Sequence, residues 1–352
     1  MSEPSAPLRV QDIGEQGLLQ RLYPFCPPEL VGDDAAVLAI ALGHDMVVTT
    51  DMLVDGVHFS VGMATPEVYT TSAADVGWRA VAANLSDLAA MGAEPLGITI
   101  SLGLPRELEV AWVEQLYCGM SECLQPSQTP IAGGDVCRSP VITVSITALG
   151  HVAPGKAILR SAAQPGDAIV VTGLHGSSRA GLELLLNPDA GAHLEPSDRA
   201  EFIRAHRRPH PRLDVVATLR AIGAFDDTPV RIAGMDSSDG LADAIVQICG
   251  ASGVGARLEW NQIPISNALT RWMTPNTAMK WALYGGEDFE LVLCLPPEQA
   301  DLLVQRRDDI HGAIIGRVTP KAAESDPEIV LTDSTGTMPT QVLSLSQGFQ
   351  HF

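Results

Sequence analysis

The stretch that most limits the architecture is GHVAPGKAILRSAAQPGD, residues 150–167, where two prolines and three glycines interrupt periodic sequence on both sides. Before it, HDMVVTTD is a short apolar run ending on Asp51, and LGITISLGL and VITVSITALG are β-rich runs edged by glycine. Between the first two lies TTSAADVGWRAVAANLSDLAAMGA, which has helical period. Trp78, Val81, Leu85 and Leu88 line one face, while Ala80, Asn84, Asp87 and Met91 line another, on which Asn84 and Asp87 are either a solvated stripe or something more. After the break come a strand (AIVVTG), a helix (SSRAGLELLL), a basic loop (RAHRRPHPRLD) and a second apolar helix opened by DSSDG. VGARLEW then alternates as a strand does, and GGEDFELVLCLP is a glycine turn running into a strand. Mixed strands and helices in both halves predict two α/β or α+β domains, 1–150 and 151–352, a comfortable division for 352 residues.

The formal charge of -20 excludes more than it suggests. So acidic a surface repels nucleic-acid phosphates and anionic membranes, leaving neither as an expected partner. It repels an anionic small substrate as well, unless divalent cations stand between. Lysine occurs only at Lys156, Lys280 and Lys321, too few to hold phosphates by direct pairing. The loop RRPHPR is the one dense basic patch, and it either contacts a phosphate or pairs with surrounding acids. Six cysteines without CxxC spacing suggest neither zinc nor a redox pair, and no apolar run nears the roughly 20 residues that span a bilayer, so a soluble cytoplasmic protein is expected.

The opening of the second apolar helix sets the functional question. Asp236 to Gly240 reads DSSDG, with Leu241, Ile245 and Ile248 following at helical spacing and glycines at 250 and 253 as the stop. One N-cap needs only one such residue. The same habit, Gly, Ser or Thr beside Asp, recurs in VGDDAAVL (Asp33, Asp34), VTTDMLVDGVHF (Asp51, Asp55), NLSDLAAMG (Asp87), AGGDVC (Asp135) and YGGEDFEL (Glu287, Asp288). Each alone is ordinary turn chemistry. Converging carboxylates about 4 Å apart would repel by roughly 4 kcal/mol per pair at an effective dielectric near 20, so a cluster needs protons or cations. Oxygen donors without His or Cys favour magnesium, which is commonly shared with substrate phosphates, and that points to phosphoryl transfer. No GxxxxGK[ST], HRD or DFG motif is present, so the nucleotide would be held mainly through metal.

Taken in order from GDDAAVL to the terminal GFQHF, these motifs resemble those of the thiamine-monophosphate kinase family, within the superfamily of aminoimidazole-ribonucleotide synthetase and selenophosphate synthetase. The two relatives fit less well: TTDMLVDGVHF stands where the first carries a DGVGTK-type motif, and Cys26 in PFCPPE is not the second's Cys-Gly motif. The resemblance implies ATP-dependent phosphorylation of thiamine monophosphate to thiamine diphosphate, the last step in making that cofactor. It implies a two-domain synthetase-like fold, with an N-terminal domain that binds ATP and magnesium and whose sheet joins its partner's in a homodimer, and a C-terminal α/β domain that completes the active site. Carried over by motif, Asp34, Thr49, Thr50, Asp51, Asp87, Asp135, Asp236 and Asp239 would bind magnesium. Gly134, Asp135, Arg160 and Ser238 would touch ATP, with Tyr117 an addition, and His58, Glu287 and Phe349 would contact thiamine monophosphate. Gln350 stands where the family usually has Asp, and Ala132 where Ile is common. No general base is implied, because an already ionised phosphate is its own nucleophile.

Two other readings remain at this level: a sibling ATP-dependent enzyme using the same metal site on another phosphorylated substrate, and a non-catalytic cation or nucleotide sensor that kept the fold. The fully retained carboxylate set argues against the sensor.

Overall fold

The computed structural model describes residues 7–28, 38, 40–227, 229–306, 310–321, 329–336 and 338–344. Asp33, Asp34, Phe349 and Gln350 lie outside them. The chain divides into two units, Met1–Asn84 with Pro95–His151, and Leu85–Glu94 with Val152–Phe352.

In the first unit, helix α1 (Val10–Leu22) leads to strand β1 (Asp45–Val54), helix α2 (Ala73–Ala90, whose last turns belong to the second unit), strand β2 (Glu94–Leu104), helix α3 (Val110–Leu124), and strands β3 (Ile131–Arg138) and β4 (Thr143–Val152). The four strands form one sheet in the order β1-β4-β2-β3. β2 and β3 run parallel with α3 as their crossover, the connection that parallel strands require. The alternation in VITVSITALG is realised in β4: Val144, Ile146 and Ala148 are buried and their neighbours are half-covered. Helices α2 and α3 approach at glycines. A Cβ at Gly77 would fall 2.0 Å from the Leu116 carbonyl oxygen, and one at Gly119 would fall 1.8 Å from that of Ala74. The polar face of α2 is no solvated stripe: Asn84 is buried and gives its side-chain amide to the Ala80 carbonyl at 3.0 Å.

The second unit carries strand β5 (Ala168–Val171), helices α4 (Ser177–Leu186), α5 (Pro196–Arg207) and α6 (Leu213–Ala221), strand β6 (Ala233–Asp236), helix α7 (Leu241–Ser252), strand β7 (Gly255–Glu259), helices α8 (Asn267–Trp272) and α9 (Pro275–Tyr284), strand β8 (Leu291–Leu295), helix α10 (Pro297–Gln305), and strands β9 (Ala313–Thr319), β10 (Ile329–Thr332) and β11 (Gln341–Val342). Seven strands make a mixed sheet in the order β11-β10-β7-β9-β5-β8-β6. Its central strands are apolar without alternation because both faces are covered. Ile169, Val171, Val292 and Cys294 pack with α7 and α9, while Val170, Leu291, Leu293 and Leu295 pack with α6, α10 and the end of α2. A separate cluster joins α4, α5, α8 and α9 through Leu184, Phe202, Leu269 and Ala278. Among the described residues no helix is long and apolar enough to cross a membrane.

Candidate active site

The predicted apolar face of α7 is present, with Leu241, Ile245 and Ile248 buried, but its N-terminus corrects the sequence reading. The N-cap is Gly240, at φ 110°, and no side chain caps the helix. The polar residues of DSSDG are engaged elsewhere. Asp236 ends β6, is 3% exposed, and accepts from Ser86 Oγ at 2.7 Å and from Ser238 Oγ at 2.8 Å. Burial, reinforced by the charge of Asp87, pushes the Asp236 carboxyl up to about 6 against the two hydroxyl donors. The pair Asp87–Asp236 is thus 149 residues apart in sequence but coupled in space. The chain brings these two together by packing the end of α2 beside β6 within the second unit.

GGEDFE closes on the same turn. The amide of Glu287 donates to the Ser238 carbonyl at 2.6 Å, that of Ser237 donates to the Glu290 carbonyl at 2.8 Å, and that of Glu290 donates to Ser237 Oγ at 3.1 Å. Glu287 and Phe289 both take left-handed backbone, at φ 59° and 53°. For non-glycine residues that conformation persists only where surroundings enforce it, and such residues gather at functional sites. The enforcement is visible on either side. Asp288 accepts from the amides of Gly176 at 2.7 Å and Ser178 at 2.9 Å, at the start of α4. Burial nonetheless raises its carboxyl to about 7, opposed by those amides. Glu290 accepts from Arg212 Nη1 at 2.8 Å and from Thr172 Oγ1 at 2.5 Å. Arg212 closes RRPHPR and also pairs with Asp214 at 2.9 Å, so this end of the basic loop pairs with acids.

Arg160 reaches Gln247 Oε1 at 2.5 Å, and Gln247 in turn donates to Asp243 at 2.5 Å on α7, a group that also feels the charge of Asp239. Ser86, Glu290 and Thr172 were absent from the sequence-derived set, in which Asp288 stood as one of the recurring carboxylates and Arg212 only as the end of the basic loop. Ser86 adjoins Asp87 and Glu290 stands within GGEDFE, whereas Thr172 carries no local signal.

In the first unit, Thr49, Thr50 and Asp51 lie on β1 and Gly134 and Asp135 on β3, opposite edges of the sheet with β4 and β2 between. The sheet does not bring Asp51 and Asp135 together: three inter-strand steps of about 4.8 Å separate their strands. Thr50 Oγ1 donates to the Ile146 carbonyl at 3.0 Å. Gly134 is required sterically, since a Cβ there would fall 2.1 Å from the Ile100 carbonyl oxygen on β2. His58 Nδ1 accepts from the Val54 amide at 3.1 Å, and its carbonyl takes Arg79 Nη1 at 3.0 Å. Tyr117 is 5% exposed, with its ring 5.4 Å from that of Phe25 and its hydroxyl pushed well up by burial, so it offers a ligand little surface. Among the described residues no three His, Cys, Asp or Glu side chains gather as a metal-holding group.

Residues 32–152 match the family model for the AIR synthase related protein, N-terminal domain, and residues 164–325 match that for the C-terminal domain. The chain is 48% identical over 343 residues to the thiamine-monophosphate kinase of Synechococcus elongatus, covering 97% of this chain and 98% of that protein. The crystal structure of thiamine-monophosphate kinase from Stenotrophomonas maltophilia K279a superposes with a TM-score of 0.74 at 32% identity, covering 91% of this chain and 95% of the other. A structure of AaThiL complexed with AMPPCP and TMP superposes with a TM-score of 0.67 at 30% identity, covering 93% of this chain and 96% of the other.

Proposed function

The chain belongs to the thiamine-monophosphate kinase family, and from that premise we propose how its own residues serve ATP-dependent phosphorylation of thiamine monophosphate to thiamine diphosphate. The observation that carries the assignment is the junction of two motifs: DSSDG holds a buried carboxylate beside Asp87, and GGEDFE is hydrogen-bonded onto the same turn with Glu287 in an enforced backbone conformation.

The donor set of that junction fits magnesium. Asp236 and Asp87 offer only oxygen, and their mutual repulsion in a buried setting is relieved by a hard cation. Magnesium bound by protein carboxylates commonly completes its shell with phosphate oxygens. Asp87, Asp236 and Asp239 would hold magnesium in the second unit, and in the first Thr49, Thr50 and Asp51 on β1 and Asp135 on β3 would serve separate ions, with Asp34 outside the described residues. When bound, magnesium neutralises phosphate charge and orients the oxygens for in-line displacement.

The remaining work falls to polar side chains. Ser238, Arg160 and Gly134 would contact ATP. Glu287 would supply an anionic acceptor suited to the aminopyrimidine or the cationic thiazolium of the substrate, and His58, whose Nδ1 accepts from the Val54 amide, a donor at Nε2 for the substrate's phosphate or ring. The acceptor phosphate is ionised at neutral pH and can itself attack the γ-phosphate, which supports direct transfer without a phosphoenzyme. Residues 1–150 would bind nucleotide and dimerise and 151–352 would complete the site. Strand β1, at the sheet edge with Met46, Val48 and Met52 each more than half exposed, supports a homodimer joined there. Free cysteines throughout the described residues accord with a cytoplasmic setting.

Incubating the protein with ATP, magnesium and thiamine monophosphate tests the assignment. Thiamine diphosphate and ADP should appear in equal amounts, and only when all three are present. ADP release without thiamine diphosphate, or with it only from another phosphorylated acceptor, would overturn it.

A further inference from the structure

We propose that His206 is a positioning residue for Glu287, fixing the direction in which that carboxylate meets the substrate; the inference rests on the reading of Glu287 as a substrate contact. His206 belongs to RAHRRPHPR, whose Arg212 end is engaged with Glu290, while the role of the histidine is unaccounted for by phosphate or metal binding.

His206 is 2% exposed, in the last turn of α5. Its backbone is immobilised by the tight approach of α4: a Cβ at Gly181 would fall 2.0 Å from the Phe202 carbonyl oxygen and 2.9 Å from His206 Cβ. From this anchored position Nδ1 stands 3.1 Å from Ser178 Oγ and 3.6 Å from Glu287 Oε2. Both oxygens face Nδ1, Ser178 Oγ at hydrogen-bond distance and Glu287 Oε2 just beyond it, so a proton on Nδ1 would serve both, with the Ser178 hydroxyl turned to accept. Ser178 also gives its backbone amide to Asp288, so the residue after Glu287 and the ring that faces Glu287 hang from one turn of α4.

This arrangement answers a mechanical need. The main chain of Glu287 is fixed by its left-handed conformation and by the bond to Ser238, but its side chain is about one-third exposed and has rotatable bonds that the backbone does not restrain. A buried imidazole directed at Oε2 orients the carboxylate before substrate arrives, so that Oε1 is presented in one direction. Preorganisation of this kind shows in substrate binding rather than in the nucleotide's.

Four variants, His206→Asn, His206→Gln, His206→Leu and Glu287→Gln, and the double variant H206L/E287Q, test the inference through thermal stability and through KM for each substrate measured separately. Asn places a side-chain amide near the Nδ1 position, whereas Gln places it near Nε2. With His206→Leu and His206→Gln, the KM for thiamine monophosphate should rise about three- to tenfold and that for ATP should stay within about twofold, while His206→Asn restores most of the loss. The double variant should be no worse than Glu287→Gln alone. Multiplicative losses in the double variant, equal KM values across Asn, Gln and Leu, or parallel losses for ATP would overturn the positioning role while leaving Glu287 in the site. An unchanged KM for thiamine monophosphate in Glu287→Gln would instead remove Glu287 as a substrate contact, and this inference with it.

Discussion

Replacing Glu287 by glycine separates what the residue costs the fold from what it gives the reaction. A non-glycine residue in the left-handed region is destabilised by roughly 1–2 kcal/mol relative to ordinary backbone, and glycine escapes that cost. Glycine in turn adds unfolded-chain entropy worth about 0.5–1 kcal/mol. The lost contact with His206, at 3.6 Å and with Glu287 about one-third exposed, subtracts at most a few tenths after solvent screening. The net expectation for Glu287→Gly is therefore between no change and a gain of about 1 kcal/mol, or up to about 3 °C in the melting temperature of the second unit. Over the same substitution, kcat/KM for thiamine monophosphate should fall at least about tenfold, because a charge-assisted hydrogen bond worth roughly 1.5–3 kcal/mol is removed. Thermal unfolding and steady-state kinetics on one preparation measure both quantities. A clear loss of stability, with activity falling only in proportion to unfolded protein, would show that Glu287 is structural and that its strained backbone serves packing.

The same site yields three further expectations. Asp236→Asn removes a buried charge facing Asp87 and should leave the ligand-free protein as stable as the parent or more so, while turnover falls below about 1%, as a melting curve and a coupled ADP assay will show. Asp288 has its carboxyl raised to about 7 in the folded state against 3.8 unfolded, so the native form holds the proton more tightly; its favourable contribution is complete below about pH 4, declines as pH rises to about 7 and is constant above. The decline is bounded at about 4 kcal/mol and reduced by partial solvent contact, and urea unfolding at several pH values should show it in the parent and not in Asp288→Asn. Gly119→Ala drives a methyl into the Ala74 carbonyl and should destabilise the first unit by about 1–3 kcal/mol or more, read from urea midpoints.

What was legible in the sequence follows from which interactions are local. The helix at 241–252 and the strand at 143–152 announce themselves because burial repeats at the period of their own backbone, while the strand at 168–171 shows as a short continuous apolar run, buried at every position. Asp236, Asp87 and Glu287 were legible as a set because turn-forming glycines and hydroxyl residues sit beside them in sequence. The assignment of Leu85–Glu94 to the second unit was not legible, since α2 is one continuous periodic helix and nothing in its pattern marks where its packing partners change. The capping reading of DSSDG failed for a related reason. Ser and Asp satisfy first-turn amides by default, but here Ser86 lies 150 positions before Asp236 and donates to it, while the Glu290 amide takes Ser237 Oγ, so tertiary partners captured the polar groups before the helix could use them. The same competition explains why Thr172 went unseen and why Arg212 was legible only as part of a basic loop. A buried pair such as Arg212–Glu290 gains little net stability over apolar packing, but losing either member strands a charge at about 3–5 kcal/mol. Its value is therefore in holding the start of β8 in one register, and with it the strained Glu287, which ties a residue legible only as the end of a basic loop to the group proposed to contact the substrate.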